Sequence, residues 1–188
     1  MHQMLTQLKL ARVREIHQEW LDRAAAEQMP YPDFLRGLLQ EELLAREDNQ
    51  VRRRLKDAAF PFEKTLDEFD FRLRPELNRQ VVLRYLDDRF ITQGRSLVLV
   101  GPAGLGKTHL AISIGLALLK RGYLVRFTTT HALLTRVLRA GGLDGRAKIL
   151  RPYIQSDLLV LDSCGAPRNV ASPPNRPVAT GVRPRDFT

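Results

Sequence analysis

The sequence predicts an α/β fold: a mainly parallel β-sheet with flanking helices, incomplete in this chain, preceded by a small helical N-terminal region. Three observations carry that prediction. Short apolar runs at Ser96–Val100, Leu124–Thr128 and Leu158–Leu161 alternate with apolar-periodic segments of helical length. A glycine-rich turn joins the first of these runs to the first such segment. Residues 1–58, by contrast, show helical spacing of apolar residues. Strands that alternate with helices imply right-handed crossovers and a parallel sheet with helices on both faces.

In the N-terminal region, Leu5, Leu8, Val13, Ile16, Trp20 and Ala24 recur at three to five residues, an approximate helical stripe with Trp20 in its core. Met29-Pro30-Tyr31-Pro32 interrupts it, because proline lacks the N–H and clashes with the preceding turn. Asp33 is placed to cap a second helix, with Leu35, Leu38, Leu39 and Leu43 as its buried face. Its far end is basic: Arg52, Arg53, Arg54 and Lys56. Cations there complement the helix dipole and make a solvated helix end; the sharper alternative is contact with a DNA backbone.

Phe60-Pro61-Phe62 marks a boundary, and Thr65–Phe71 reads as an irregular aromatic and acidic segment. A helix starting near Pro75 would carry Leu77, Val81, Tyr85 and Phe90 and close at Gly94. Ser96–Val100 then reads as a strand buried on both faces. Beyond the turn, Leu110, Ile114, Leu118 and Leu119 mark an apolar helix stopped at Arg121-Gly122. Leu124–Thr128 is the second strand. Thr130 is placed to cap a helix with Leu133, Leu134, Val137 and Leu138, ending at Gly141-Gly142. Leu158–Leu161 is the third strand and ends in Asp162. Residues 163–188 hold five of the chain's 11 prolines and no apolar period, so the sequence predicts a disordered tail. The predicted divisions are thus 1–58, 59–162 and 163–188.

Composition bounds the possibilities. The chain has 188 residues, 44% hydrophobic and 27% charged, enough to build a core. Its net charge of +9 is unevenly placed: residues 1–94 hold 16 Lys+Arg against 17 Asp+Glu, and residues 95–188 hold 14 against 4. The surplus lies in the half with the glycine-rich turn, which points to a polyanionic partner or a solvated basic surface. Cys164 is the one cysteine, so no intramolecular disulfide forms, which fits a reducing compartment. No apolar run approaches the roughly 20 residues of a membrane span. No secretory leader is visible, and the expected location is cytoplasmic, with no membrane partner.

The chemistry lies in Gly101-Pro102-Ala103-Gly104-Leu105-Gly106-Lys107-Thr108, which matches the phosphate-binding pattern G-x-x-x-x-G-K-[ST] at every fixed position. Its glycines let the backbone approach phosphate closely. The N–H groups of the loop and of the following helix start face the anion. Lys107 supplies a charge to the β- and γ-phosphates, and Thr108 a hydroxyl to Mg²⁺. His109 lies beside the loop, either near nucleotide or as a structural helix-start residue. Asp162, at the end of a buried strand, is the expected second magnesium contact. No Asn-Lys-x-Asp guanine-reading motif occurs, which favours ATP. Hydrolysis needs a group that orients water, usually a carboxylate after that aspartate. Here Ser163 follows, so the sequence supports binding better than turnover.

These features together resemble the IstB-like family, ATP-binding helpers of insertion-sequence transposition. That family is related to the DnaC-type helicase loaders and belongs to the AAA+ group. The resemblance runs over about residues 5–162 and rests on Met29-Pro30-Tyr31-Pro32-Asp33-Phe34-Leu35, the segment Phe60–Phe71, the string Leu97–Ala111 and Ser156–Asp162. It implies an AAA+-like ATPase that assembles on DNA, as a homo-oligomer, and recruits or regulates a transposase. It also implies nucleotide contacts at Gly104, Gly106, Lys107 and Thr108, magnesium at Asp162, and adenine beside Phe62–Phe71. The family pattern continues Asp-Glu and Leu-Gly where this chain reads Asp162-Ser163-Cys164-Gly165-Ala166-Pro167. That break gives the expectation of a frameshift or truncation after residue 162. Two alternatives accompany the transposition reading: a helicase loader acting through its N-terminal helices, and a fragment without function.

Overall fold

A computed structural model describes residues 1–73 and 77–163; the predicted tail, apart from Ser163, and Pro75 lie outside them. The chain forms two compact units, Met1–Arg53 and Arg54–Thr188.

The first unit begins with α1 (His2–Gln7) and α2 (Ala11–Ala26), separated by Lys9 at φ 56°. The single predicted stripe therefore belongs to two helices, and Leu8 is exposed. α3 (Tyr31–Ala58) follows, its last residues belonging to the second unit. Pro32 and Asp33 lie inside its first turn, so Asp33 is not its cap. A proline is tolerated there because its missing N–H would have no helical partner. Val13, Ile16 and Leu38 form the core, with Trp20 and Phe34 packed on it edge to face at 6.4 Å. Of the predicted buried face of α3, Leu38 is buried as expected, but Leu35, Leu39 and Leu43 are exposed, and the face is displaced to Phe34, Leu38 and Glu42.

Glu42 explains the displacement. It is only 4% exposed, and its carboxylate accepts hydrogen bonds from the N–H groups of Arg12 (2.8 Å) and Val13 (3.1 Å). Those are unpaired donors at the start of α2, whose own N-cap, Leu10, offers no side-chain acceptor. Glu42 thus caps α2 from another helix, and Arg46 pairs with it at 2.9 Å. Burial alone would raise the Glu42 carboxyl. The Val13 N–H, the Arg46 guanidinium and the Arg12 N–H outweigh it and hold the group below its ordinary value of 4.5. Because the folded pKa is depressed, the stabilisation is present above that value and lost as pH falls below it. Glu42→Ala is expected to destabilise the first unit by about 2 kcal/mol at pH 7. In helical-signal melting curves, the gap between variant and parent should shrink as pH drops below 4.5. A gap that is the same at pH 7 and in acid would refute the capping role.

In the second unit, short 3₁₀ turns at Leu66–Glu68 and Phe71–Leu73 lead to α4 (Arg79–Leu83), a 3₁₀ turn at Arg84–Leu86 and α5 (Arg89–Thr92). The single helix expected before Gly94 is therefore broken. Asn78 caps α4 through its side chain, and the inward residues are Val82, Phe90 and Ile91, while Val81 is exposed. Then come α6 (Lys107–Lys120), β1 (Val125–Thr129), α7 (Thr130–Arg139), α8 (Gly142–Ile154) and β2 (Leu158–Asp162). Thr129, not Thr130, caps α7, accepting from Ala132 N–H at 3.1 Å.

The two strands pair in parallel with Val125 opposite Leu158 and Thr129 opposite Asp162. α6 packs on both strands and forms the centre of the unit; Ile112, Leu118 and Leu119 are fully buried. The strand expected at Ser96–Val100 is not formed. Leu97 makes an isolated bridge, and the segment has no regular ladder among the described residues. Leu99 still finds cover, packing against the cluster of Leu66, Phe69, Val82 and Leu110, whereas Val100 is exposed. Burial of a side chain does not supply the hydrogen-bonded neighbour that a strand requires. Among the described residues, no helix is long and apolar enough to cross a membrane.

Candidate functional site

Residues 101–106 form a turn that ends where α6 begins at Lys107. Gly104 and Gly106 adopt φ of 80° and 81°, a left-handed conformation that other residues enter at a cost. Gly106 has a second requirement. A Cβ there would lie 2.6 Å from the Phe69 ring, so the aromatic packs directly on the loop backbone. Gly101 to Gly104 are exposed, including Pro102 and Ala103, and Leu105 through His109 are half-buried. The first N–H groups of α6 have no helical acceptors, and a helix start of this kind favours an anion.

The Lys107 ammonium donates to the Pro102 carbonyl at 2.6 Å, which holds the side chain back across the loop. The Thr108 hydroxyl donates to Asp162 Oδ2 at 2.8 Å, across 54 residues of sequence. Two elements bring that pair together: Thr108 stands in the first turn of α6, and Asp162 ends β2. Thr130 Oγ1 approaches the Asp162 carbonyl at 3.4 Å. A small cleft of about 60 Å³ is lined by Lys107, Thr108, Asp162 and Ser163, with Leu99 and Phe127 among its apolar walls. Asp162 is the sole carboxylate among the described residues lining it.

This donor set fits a magnesium-bound polyphosphate. A cation on a flexible stem and a row of helix-start amides suit phosphate oxygens. A hydroxyl beside a carboxylate suits a hard cation with oxygen ligands.

One part of the arrangement was not legible in the sequence. The segment before the loop is clasped to α6 through backbone acceptors. His109 Nε2 lies 2.9 Å from the Thr65 carbonyl, so that nitrogen carries the proton and donates. The Ser113 hydroxyl is shared between the carbonyls of Lys64 (3.0 Å) and His109 (2.9 Å). Thr65 and Glu68 form a capping box, with the Thr65 N–H donating to Glu68 at 2.6 Å. Phe69 stands edge-on to Phe71 at 4.8 Å and to His109 at 5.3 Å. The His109 ring therefore faces the clasp. The sequence marks Thr65–Phe71 only as aromatic and acidic, because carbonyl acceptors leave no trace in side-chain identity.

The basic end of α3 is not a uniform surface. Arg52 pairs with Asp48 at 2.8 Å, Arg53 is exposed, and both lie in the first unit. In the second unit Lys56 is exposed, and Arg54 is half-buried beside a cleft with Asp57 and Arg126.

Comparison with known proteins adds a separate line. Residues 3–168 match the family described as IstB-like ATP binding protein. The chain is 33% identical over 166 residues to the "Insertion sequence IS232 putative ATP-binding protein" of Bacillus thuringiensis subsp. berliner, covering 87% of this chain and 66% of that protein. It is 31% identical over 164 residues to the IS5376 counterpart of Geobacillus stearothermophilus, covering 87% and 65%. To the IS21 counterpart of Pseudomonas aeruginosa it is 32% identical over 162 residues, covering 86% and 61%. The chain thus spans somewhat less than two thirds of the length of these relatives.

Proposed function

Because the chain belongs to the family of IstB-like ATP-binding proteins, we propose that it binds magnesium ATP at Gly101–Thr108 and acts on DNA as the helper of a transposase. The observation that carries the nucleotide reading is the Thr108–Asp162 hydrogen bond, which joins a hydroxyl and a carboxylate beside Lys107. In this reading the loop amides and Lys107 hold the β- and γ-phosphates. Thr108 and Asp162 hold the magnesium, which supplies charge neutralisation when bound. The clasp through His109 and Phe69 fixes the loop backbone from behind. Ser163 lines the cleft where a water-orienting carboxylate would be needed, so the reading is binding with little turnover.

The transposition context rests on the relatives, whose names place them in insertion sequences. The basic surplus of residues 95–188 supports a polyanionic partner in addition.

The test is thermal unfolding of the 188-residue chain with ATP, with and without Mg²⁺. Saturating ligand at about 100 times its Kd is expected to stabilise the fold by about 2.7 kcal/mol. Removal of magnesium with a chelator should reverse most of the gain. Stabilisation that ignores magnesium would remove Thr108 and Asp162 from the assignment, and none at all would remove the site.

A further inference from the structure

A second cleft lies apart from the phosphate loop. It has a volume of about 560 Å³ and is formed by α4, the 3₁₀ turn after it, α5 and the segment that follows. None of residues 101–109 lines it. Three arginines do: Arg84, Arg89 and Arg95. The one carboxylate in the wall among the described residues is Asp87, which is already shared by Arg89 at 2.9 Å and Arg121 at 3.6 Å. Among the described residues, Arg84 and Arg95 have no carboxylate within ion-pair distance. The cleft therefore carries uncompensated positive charge. Tyr85 stands in the wall, its ring edge-on to Phe90 at 5.6 Å, and Gln93 and Ser96 add neutral donors.

From this we infer that the cleft is a binding site for the phosphodiester backbone of DNA. The inference rests on the DNA part of the reading above and gives it a location. Guanidinium groups bind phosphate through paired N–H donors, and exposed ones lose little hydration before contact. The cleft is open, and its arginines come from three successive pieces of chain, which suits a continuous backbone laid across it. Among the described residues lining it there is no glycine turn of the kind that precedes α6 at the other site. The basic end of α3 is a weaker candidate, since Arg52 already has a carboxylate partner and Arg54 is half-buried.

The experiment is fluorescence anisotropy of a labelled 30-base-pair duplex (a generic sequence suffices) with the full chain, titrated over a range of salt. It compares the parent with R84Q/R95Q and with R52Q/R53Q. Loss of two phosphate contacts should weaken binding at least ~10-fold near 50 mM salt and flatten the log–log salt slope by about 1.8. The R52Q/R53Q variant should stay within twofold of the parent. Both variants should keep the parent's melting temperature and ATP affinity, because the changed residues are exposed and outside the nucleotide site. A parent that binds DNA while R84Q/R95Q binds equally well overturns the cleft and leaves the DNA reading standing. A parent that does not bind DNA overturns both. Displacement of DNA by 10 mM inorganic phosphate, at constant ionic strength, would make the cleft a small-anion site and overturn the backbone assignment.

Discussion

Lys107→Ala is expected to weaken nucleotide binding at least ~100-fold, about 2.7 kcal/mol, as read by a fluorescent ATP analogue. The ammonium is the sole cation lining the small cleft among the described residues, and its stem reaches across the loop to Pro102. Charged hydrogen bonds to phosphate are worth more than neutral ones, because both partners keep their charge in a partly desolvated place. The variant also removes the tie to the Pro102 carbonyl, so some loss of loop order is expected. A control separates the two effects. Without nucleotide, the melting curve should shift by no more than one exposed hydrogen bond allows, about 1 kcal/mol. If the analogue binds with parental affinity, the phosphate site is not at this loop.

Gly106→Ala is expected to damage both fold and binding. The residue sits at φ 81°, which costs an alanine roughly 1–2 kcal/mol. The new methyl would lie 2.6 Å from the Phe69 ring, and that ring is wedged between Phe71 and His109. Displacing it adds about 1–3 kcal/mol. Together these should lower stability by about 2–5 kcal/mol and weaken ATP binding, since the loop backbone must shift. The clash can be separated from the strain. Phe69→Leu in the Gly106→Ala background should recover part of the stability, whereas Phe69→Leu alone should destabilise. Purely additive losses in a double-mutant cycle would show that the two residues do not interact as described.

How much of this was readable beforehand depends on which chemical group carries the information. The glycine turn before α6 and the place of Asp162 at the end of β2 were legible because turn glycines and a short apolar run fix both positions in the sequence; the roles of Lys107, Thr108 and Asp162 toward magnesium nucleotide are proposals. β1, β2 and α6 were legible because their apolar runs are short or periodic and bounded by turn residues. The family assignment drawn from those strings is the one that the comparisons give. The face of α3 was misplaced by one position because its deepest partner is a carboxylate, Glu42, rather than a leucine. α8 was not foreseen: it starts at Gly142 with φ 67° and carries Pro152 in its last turn, both of which argue against a helix. The run Ser96–Val100 carried the composition of a strand without a ladder to join. The clasp of residues 64–69 on α6 escaped notice because its acceptors are main-chain carbonyls.

The separation of Thr108 from Asp162 also orders events in time. Closing a contact over 54 residues is slow relative to forming a helix turn, and the chain entropy lost grows only gently with length. During synthesis, α6 leaves the ribosome well before β2 exists to cover it. At about 5–20 residues per second, the stretch from Lys120 to Asp162 takes roughly 2–8 s to follow. For that interval a helix whose Ile112, Leu118 and Leu119 end fully buried has β1 at most and lacks its second strand. The newborn chain is then most open to chaperone capture or to sticking to its neighbours, and the arrival of β2 ends that exposure as it completes the phosphate loop's partner.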